Sequence, residues 1–232
     1  MKVRVRFGKV GLVRWTSHRD VARMWERALR RAEVPVSYTG GFSPRPQLSF
    51  GLALPTGCES VAEYLDIALD APTDAAELAA VVDPHLPDGV DVLAAAVLEP
   101  GAPSLQEDVT SCAWDIAVPV GPDVLSEAVT RVLGAEELPV TRERKGRRQV
   151  EDLRPSVLAL ESMAGADGSG SRLLAELATR PRGVRPNELA EALGLELGPT
   201  RRICQWIERD GSRWEPLAAE AAGSVLAMGR AP

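Results

Sequence analysis

RWTSHRDVARMWERALRRAEVPVSYTGGFSPRPQLSF, residues 14–50, decides how the chain is read. Ser17 stands where a helix N-cap would, its hydroxyl placed to accept a backbone N–H of the first turn. Asp20, three residues on, completes a capping-box pattern with Asp in place of the usual Glu. Val21, Met24, Trp25, Ala28, Leu29 and Ala32 then recur at intervals of three and four, the spacing of one buried helical stripe. Arg19, Arg23, Arg27, Arg30 and Arg31 take the remaining faces, and Pro35 ends the helix near Glu33. Residues 36–38 read as a short strand, 40–46 (GGFSPRP) as a loop set by glycine and proline, and 48–54 as another extended run.

Working outward, Val3, Val5 and Phe7 alternate with Lys2, Arg4 and Arg6, a half-buried strand with its cations turned to water. Gly8-Lys9 is a turn or bulge, and residues 10–15 continue the extended reading. Residues 61–69 form a strand, 74–82 a helix capped by Thr73 and stopped at Pro84, and 90–98 a last strand. The order β-α-β-β-α-β is that of a ferredoxin-like sandwich, which places a first domain at 1–99. Residues 100–108 (PGAPSLQED) read as a linker.

A second passage through the same order follows at 109–210. It has a strand at 109–118, a helix from Gly121 to Gly134, and a basic hairpin at 138–144 and 147–153 turned at Lys145-Gly146. A strand at 157–163 comes next, and then RLLAELA at 172–178, whose helical propensity competes with the turn before it. A short helix between Pro186 and Gly194 and a strand at 203–207 close the unit, and 211–232 reads as a tail. The fold class expected is α+β, as two tandem ferredoxin-like (βαββαβ) domains.

Hydrophobic residues make up 45% and charged residues 26%, ordinary for a globular protein. No run is long and apolar enough for a membrane helix, and the first ten residues lack the apolar core of a secretory signal, so a cytoplasmic location is expected. Three cysteines, at 58, 112 and 204, are too scattered for a local metal motif and suit buried thiols. The net charge of −6 hides a strong polarity. Residues 1–50 carry 11 Lys/Arg against 3 Asp/Glu, residues 51–139 carry 1 against 17, and residues 140–160 carry 6 against 3. Such local fields steer ligands more than the total does.

The arginine helix therefore reads as an anion-binding face, with RNA the leading ligand. The plain alternative is a solvated polar face, but only Asp20, Glu26 and Glu33 are at hand to balance it. Arg14 and Arg45 extend the surface. Gly40 and Gly41 would let backbone N–H groups approach a phosphate, and Phe42 offers a ring to a base, unless the loop merely sets a tight turn. Arg142, Arg144, Lys145, Arg147 and Arg148 would supply the other jaw of a clamp. His18, read beside Ser17 and Tyr38, is the one candidate acid–base group, for RNA cleavage without metal; a capping histidine is the plainer reading.

Residues 6–57 resemble the opening signature of a bacterial family of radical-SAM-linked proteins, catalogued as a domain of unknown function. The matching positions are Arg14, Ser17, His18, Asp20, Arg27, Arg30, Gly41, Phe42, Pro44, Pro46, Ser49, Pro55 and Gly57, followed by Glu63 and Tyr64. Arg142, Arg144, Lys145, Gly146, Asp152, Arg154 and Pro155 resemble its second basic motif, so the likeness covers roughly residues 1–160. Members are often fused to, or encoded beside, a radical SAM protein with a cobalamin-binding region. The fused form's catalytic half and its three-cysteine cluster motif have no counterpart here. The resemblance thus implies an accessory or substrate-handling subunit with no cofactor of its own, whose partner carries the iron–sulfur cluster, S-adenosylmethionine and cobalamin. Its architecture is similar, more loosely, to RNA-processing proteins of the CRISPR repeat-associated class. A third reading is a protein–protein adaptor docking through the acidic 51–139 region.

Overall fold

The computed structural model describes residues 1–144, 147–165 and 170–217, and of residues 143, 144 and 147 the backbone alone. Its first half runs β1 (Lys2–Lys9), α1 (His18–Arg31), β2 (Leu48–Phe50), β3 (Glu59–Ala68), α2 (Ala75–Val82) and β4 (Val92–Val97). The second runs α3 (Leu105–Asp108), β5 (Ser111–Val118), α4 (Pro122–Gly134), a hairpin of β6 (Pro139–Arg144) and β7 (Arg147–Asp152), β8 (Val157–Ala164), β9 (Ser171–Ala178), α5 (Pro186–Leu193), β10 (Thr200–Arg209) and β11 (Ser212–Trp214).

Nine of these strands form one mixed sheet in the order β4-β1-β3-β10-β5-β9-β8, with β2 beside β3 and β11 beside β10; among the described residues β6 and β7 form a separate two-stranded sheet. The chain is therefore α+β, as its element pattern implied, and the sheet is continuous across both halves. The halves meet where β10 lies parallel to β3, with Arg201 opposite Glu59 and Arg202 opposite Ser60. One core gathers Val3, Val5, Phe7, Leu65 and Ile67 of the sheet under α1 and α2. The other gathers Trp114, Ile116, Leu173 and Leu177 with Leu125, Val132 and Leu189 of α4 and α5.

Several local expectations change. Residues 11–15 are a 3-10 turn rather than extended, entered at Gly11 with φ +69°. The cap of α2 is Asp74, whose carboxylate accepts the Glu77 N–H at 2.9 Å, rather than Thr73. Residues 36–38 contribute only the bridges Val36 to Leu69 and Tyr38 to Pro46. Residues 172–178, open between strand and helix in the sequence, are strand: pairing with β5 on one side and β8 on the other, and burial of alternate residues Leu173, Ala175 and Leu177, override their helical propensity.

The largest correction concerns β1, which is buried on both faces. Arg4 reaches across to Asp66 with two hydrogen bonds, 2.7 and 2.9 Å, and Arg6 to Glu215 at 2.6 Å, so both guanidiniums lie inside the molecule. Lys9 is buried as well, donating to the Thr16 carbonyl at 2.9 Å, and burial lowers its pKa.

Candidate functional site

The capping box at the start of α1 is closed in both directions. Ser17 Oγ accepts the Asp20 N–H at 3.2 Å, while the Ser17 hydroxyl and N–H donate to the Asp20 carboxylate at 2.6 and 3.3 Å and hold that carboxyl below its usual pKa. Val21, Trp25, Ala28 and Leu29 are buried, with the Trp25 ring edge-on to Phe7 at 5.0 Å. Arg19, Arg23, Arg27 and Arg30 follow at steps of four, four and three on the opposite, exposed side, flanked by Arg31. At ~1.5 Å per residue this row is about 17 Å long. Arg23 approaches Asp20 at 3.7 Å, with both side chains about half exposed. Among the described residues Arg19, Arg27, Arg30 and Arg31 have no ion-pair partner.

Five residues beyond Arg31 the chain enters the hairpin at 36–47. Ser37 N–H bonds to the Ala68 carbonyl (2.8 Å), which roots the hairpin on β3. Thr39 N–H donates to the Arg45 carbonyl (2.9 Å), and Arg45 N–H donates back to the Thr39 hydroxyl (3.0 Å). Gly41 takes φ +111°, with open space around it and around Gly40. Phe42 and Arg45 are fully or largely exposed at the tip, and Tyr38 is half exposed at its root. The arginine row and the glycine loop thus lie on consecutive elements.

Other expected site residues are engaged elsewhere. Arg14 binds Glu59 at 3.2 Å, and Glu59 also accepts from Arg201 at 2.6 Å and from the Gly11 N–H at 2.9 Å. Partial burial works against that carboxylate, but these donors outweigh it and hold Glu59 below its ordinary pKa. Arg142 is paired with Glu188 of α5 at 3.0 Å. Arg148 is exposed on β7. Arg144 and Arg147 face each other at the end of the β6–β7 ladder; their side chains, and Lys145 altogether, lie outside the described residues.

His18 is exposed, its ring edge-on to Phe50 at 5.3 Å. The Ser17 hydroxyl is occupied by Asp20, and among the described residues neither Ser17 nor Tyr38 hydrogen-bonds His18. The imidazole instead borders a groove of about 990 Å³ between β2 and residues 97–106, beside Ser49, Asp66 and Leu105. Asp66 in that groove is held by Arg4, and among the described residues no hydrogen bond joins His18 to a carboxylate.

Two features escape any reading of the sequence. Leu12 and Trp15 are 87% and 62% exposed beside Arg14, whose guanidinium lies 5.3 Å over the indole. Arg202 is buried and bound to Glu63; only the register of β10 on β3 reveals that pairing. All three cysteines are free and buried, and burial raises the pKa of each. Among the described residues no group of His, Cys, Asp and Glu could hold a metal, and no helix is long and apolar enough to cross a membrane.

Among solved structures, a chain in the crystal structure of a Cbf5-Nop10-Gar1 complex is similar at 12% identity and a TM-score of 0.48, over 88% of this chain. This chain spans about half, 48%, of that chain's length. No curated protein matches. The family described as "uncharacterized protein conserved in bacteria" (DUF2344) matches residues 2–186, from β1 to the first residue of α5, and the chain belongs to that family.

Proposed function

We propose that this chain is an accessory RNA-binding or substrate-presenting subunit, acting in the cytoplasm with a radical SAM enzyme that modifies tRNA or rRNA. The observation that carries the RNA reading is the row Arg19, Arg23, Arg27 and Arg30, with Arg31 beside it, exposed and almost unpaired on one side of α1. Guanidinium forks bind phosphate through two hydrogen bonds at once, and a row of them follows a backbone without reading bases. The radical SAM partner, with its iron–sulfur cluster, S-adenosylmethionine and cobalamin, rests on the motif resemblance over residues 1–160. Each half is read as a ferredoxin-like unit: β4-β1-β3-β2 and β10-β5-β9-β8 repeat one order once the β6–β7 hairpin is set aside.

Binding of the purified chain to total tRNA and rRNA across a salt series tests the first part. Wild type should bind with a steep salt dependence. Arg23→Glu with Arg27→Glu should weaken binding and flatten the log–log slope by roughly 0.7–0.9 for each phosphate no longer neutralised. Equal binding by wild type and variant would remove the arginine row from the site. Co-purification with the radical SAM protein tests the second part.

A further inference from the structure

Resting on the RNA reading, we infer that the 36–47 hairpin takes an unpaired base on Phe42, so that the substrate is an RNA stem bearing a loop or single-stranded end rather than a continuous duplex. The ring of Phe42 is wholly in solvent, although burying such a side chain is worth ~1.5–3 kcal/mol. Its presentation is built in. The Thr39–Arg45 pair of hydrogen bonds closes the loop, the Tyr38–Pro46 bridge braces it, and Ser37 ties it to β3. A ring held out on a braced hairpin loses little freedom when something stacks on it.

The chemistry around the ring selects the partner. Gly40, Gly41 and Ser43 add almost no apolar area, Pro44 adds one small ring, and Arg45 stands three residues on. A membrane-inserting surface needs a broad apolar face, and a protein anchor sits within a rim of packed side chains. An exposed ring with an arginine three residues on, and the half-exposed Tyr38 at the hairpin's root, suits stacking on a nucleobase and gripping its phosphate. Bases paired inside a duplex present no free face, and the major groove of A-form RNA is too narrow for side chains to read, so the ring requires an unstacked nucleotide. The α1 row, indifferent to sequence, suits the adjoining stem. Hairpin and helix thus divide the RNA between them, base to Phe42 and backbone to the arginines.

The test compares the full chain and its Phe42→Ala and Phe42→Tyr variants on two RNAs by fluorescence anisotropy: a blunt 12-base-pair duplex, and the same stem closed by a five-nucleotide loop carrying 2-aminopurine. Wild type should prefer the stem–loop and change the 2-aminopurine signal. Phe42→Ala should bind the stem–loop about tenfold more weakly, with no change on the duplex, and Phe42→Tyr should retain the preference. Equal binding of the stem–loop by wild type and Phe42→Ala would overturn the inference while leaving the RNA reading intact. Binding of neither RNA by wild type would bring down both. Loss of radical SAM protein capture, or of binding to phosphatidylserine vesicles, in Phe42→Ala with RNA binding unchanged would also overturn it.

Discussion

A side chain at Gly89 has nowhere to go. The residue sits at φ +84°, and a Cβ there would lie 2.3 Å from the Val10 carbonyl oxygen. The same two residues share a hydrogen bond, Val10 N–H to the Gly89 carbonyl at 2.8 Å, which fastens the end of β1 to the turn leading into β4. Gly89→Ala is expected to destabilise the fold by ~1–3 kcal/mol, read as a lower urea midpoint with an unchanged slope. Glu59 makes a pH prediction. Its folded pKa lies below the ordinary 4.5, so as pH falls the unfolded chain takes up this proton first. The stabilisation from Arg201, Gly11 and Arg14 is therefore complete above about pH 4.5 and is lost as pH falls through the folded value. Urea titrations from pH 7 downward should show Glu59→Gln less stable than wild type at neutrality, with a shallower acid loss; parallel curves would refute the assignment. Neither residue was legible beforehand. Gly89 looks like any turn glycine, and Glu59 meets Arg201 from 142 residues away.

At the scale of elements, what could be read was what is local. The α1 stripe, its Ser17–Asp20 box, the break before Pro35 and the hairpin at 139–152 all follow from spacings within a dozen residues, and the structure keeps them. The arginine row was legible for the same reason, since a period of three or four places side chains without reference to the rest of the chain. Residues 172–178 and β1 were harder, because partners on both sides decide whether RLLAELA extends and whether Arg4 and Arg6 face water. Among the other arginines read as anion-binding, Arg14 and Arg142 are paired with Glu59 and Glu188, partners 45 and 46 residues away that local spacing does not show. A consequence for α1 concerns folding. Because Arg23 and Arg27 lie on the exposed side of the helix, Arg23→Glu with Arg27→Glu should leave thermal stability within about 0.5 kcal/mol while altering RNA binding. A large fall in the melting temperature would mean that the row serves the fold.

Across the whole molecule, the joint between the halves rests on few backbone pairs and on a buried polar network. β10 meets β3 over two register positions, and Arg202 crosses that joint to Glu63 at 2.5 and 3.1 Å and to the Leu52 carbonyl at 2.7 Å. Burial works against the Arg202 charge, but Glu63 keeps its pKa above the ordinary value. Gln205 reaches the Ala62 carbonyl at 2.6 Å, and Glu215 joins Arg6 of β1 to Cys204 of β10. The second core also takes in Leu54, Ala62 and Tyr64 from the first half, so separating the halves would bring apolar surface into water, and the chain should melt in one transition. Arg202→Met leaves Glu63 buried without its cation and should cost ~3–5 kcal/mol, whereas adding Glu63→Leu removes the stranded charge and should restore part of that loss. Calorimetry on the wild type, both single variants and the double variant decides the matter. Two transitions in the wild type, or losses that simply add in the double variant, would show that the halves are not coupled through this pair. Partners 139 residues apart leave no mark in local periodicity, which is why no local pattern shows the joint that makes the sheet continuous.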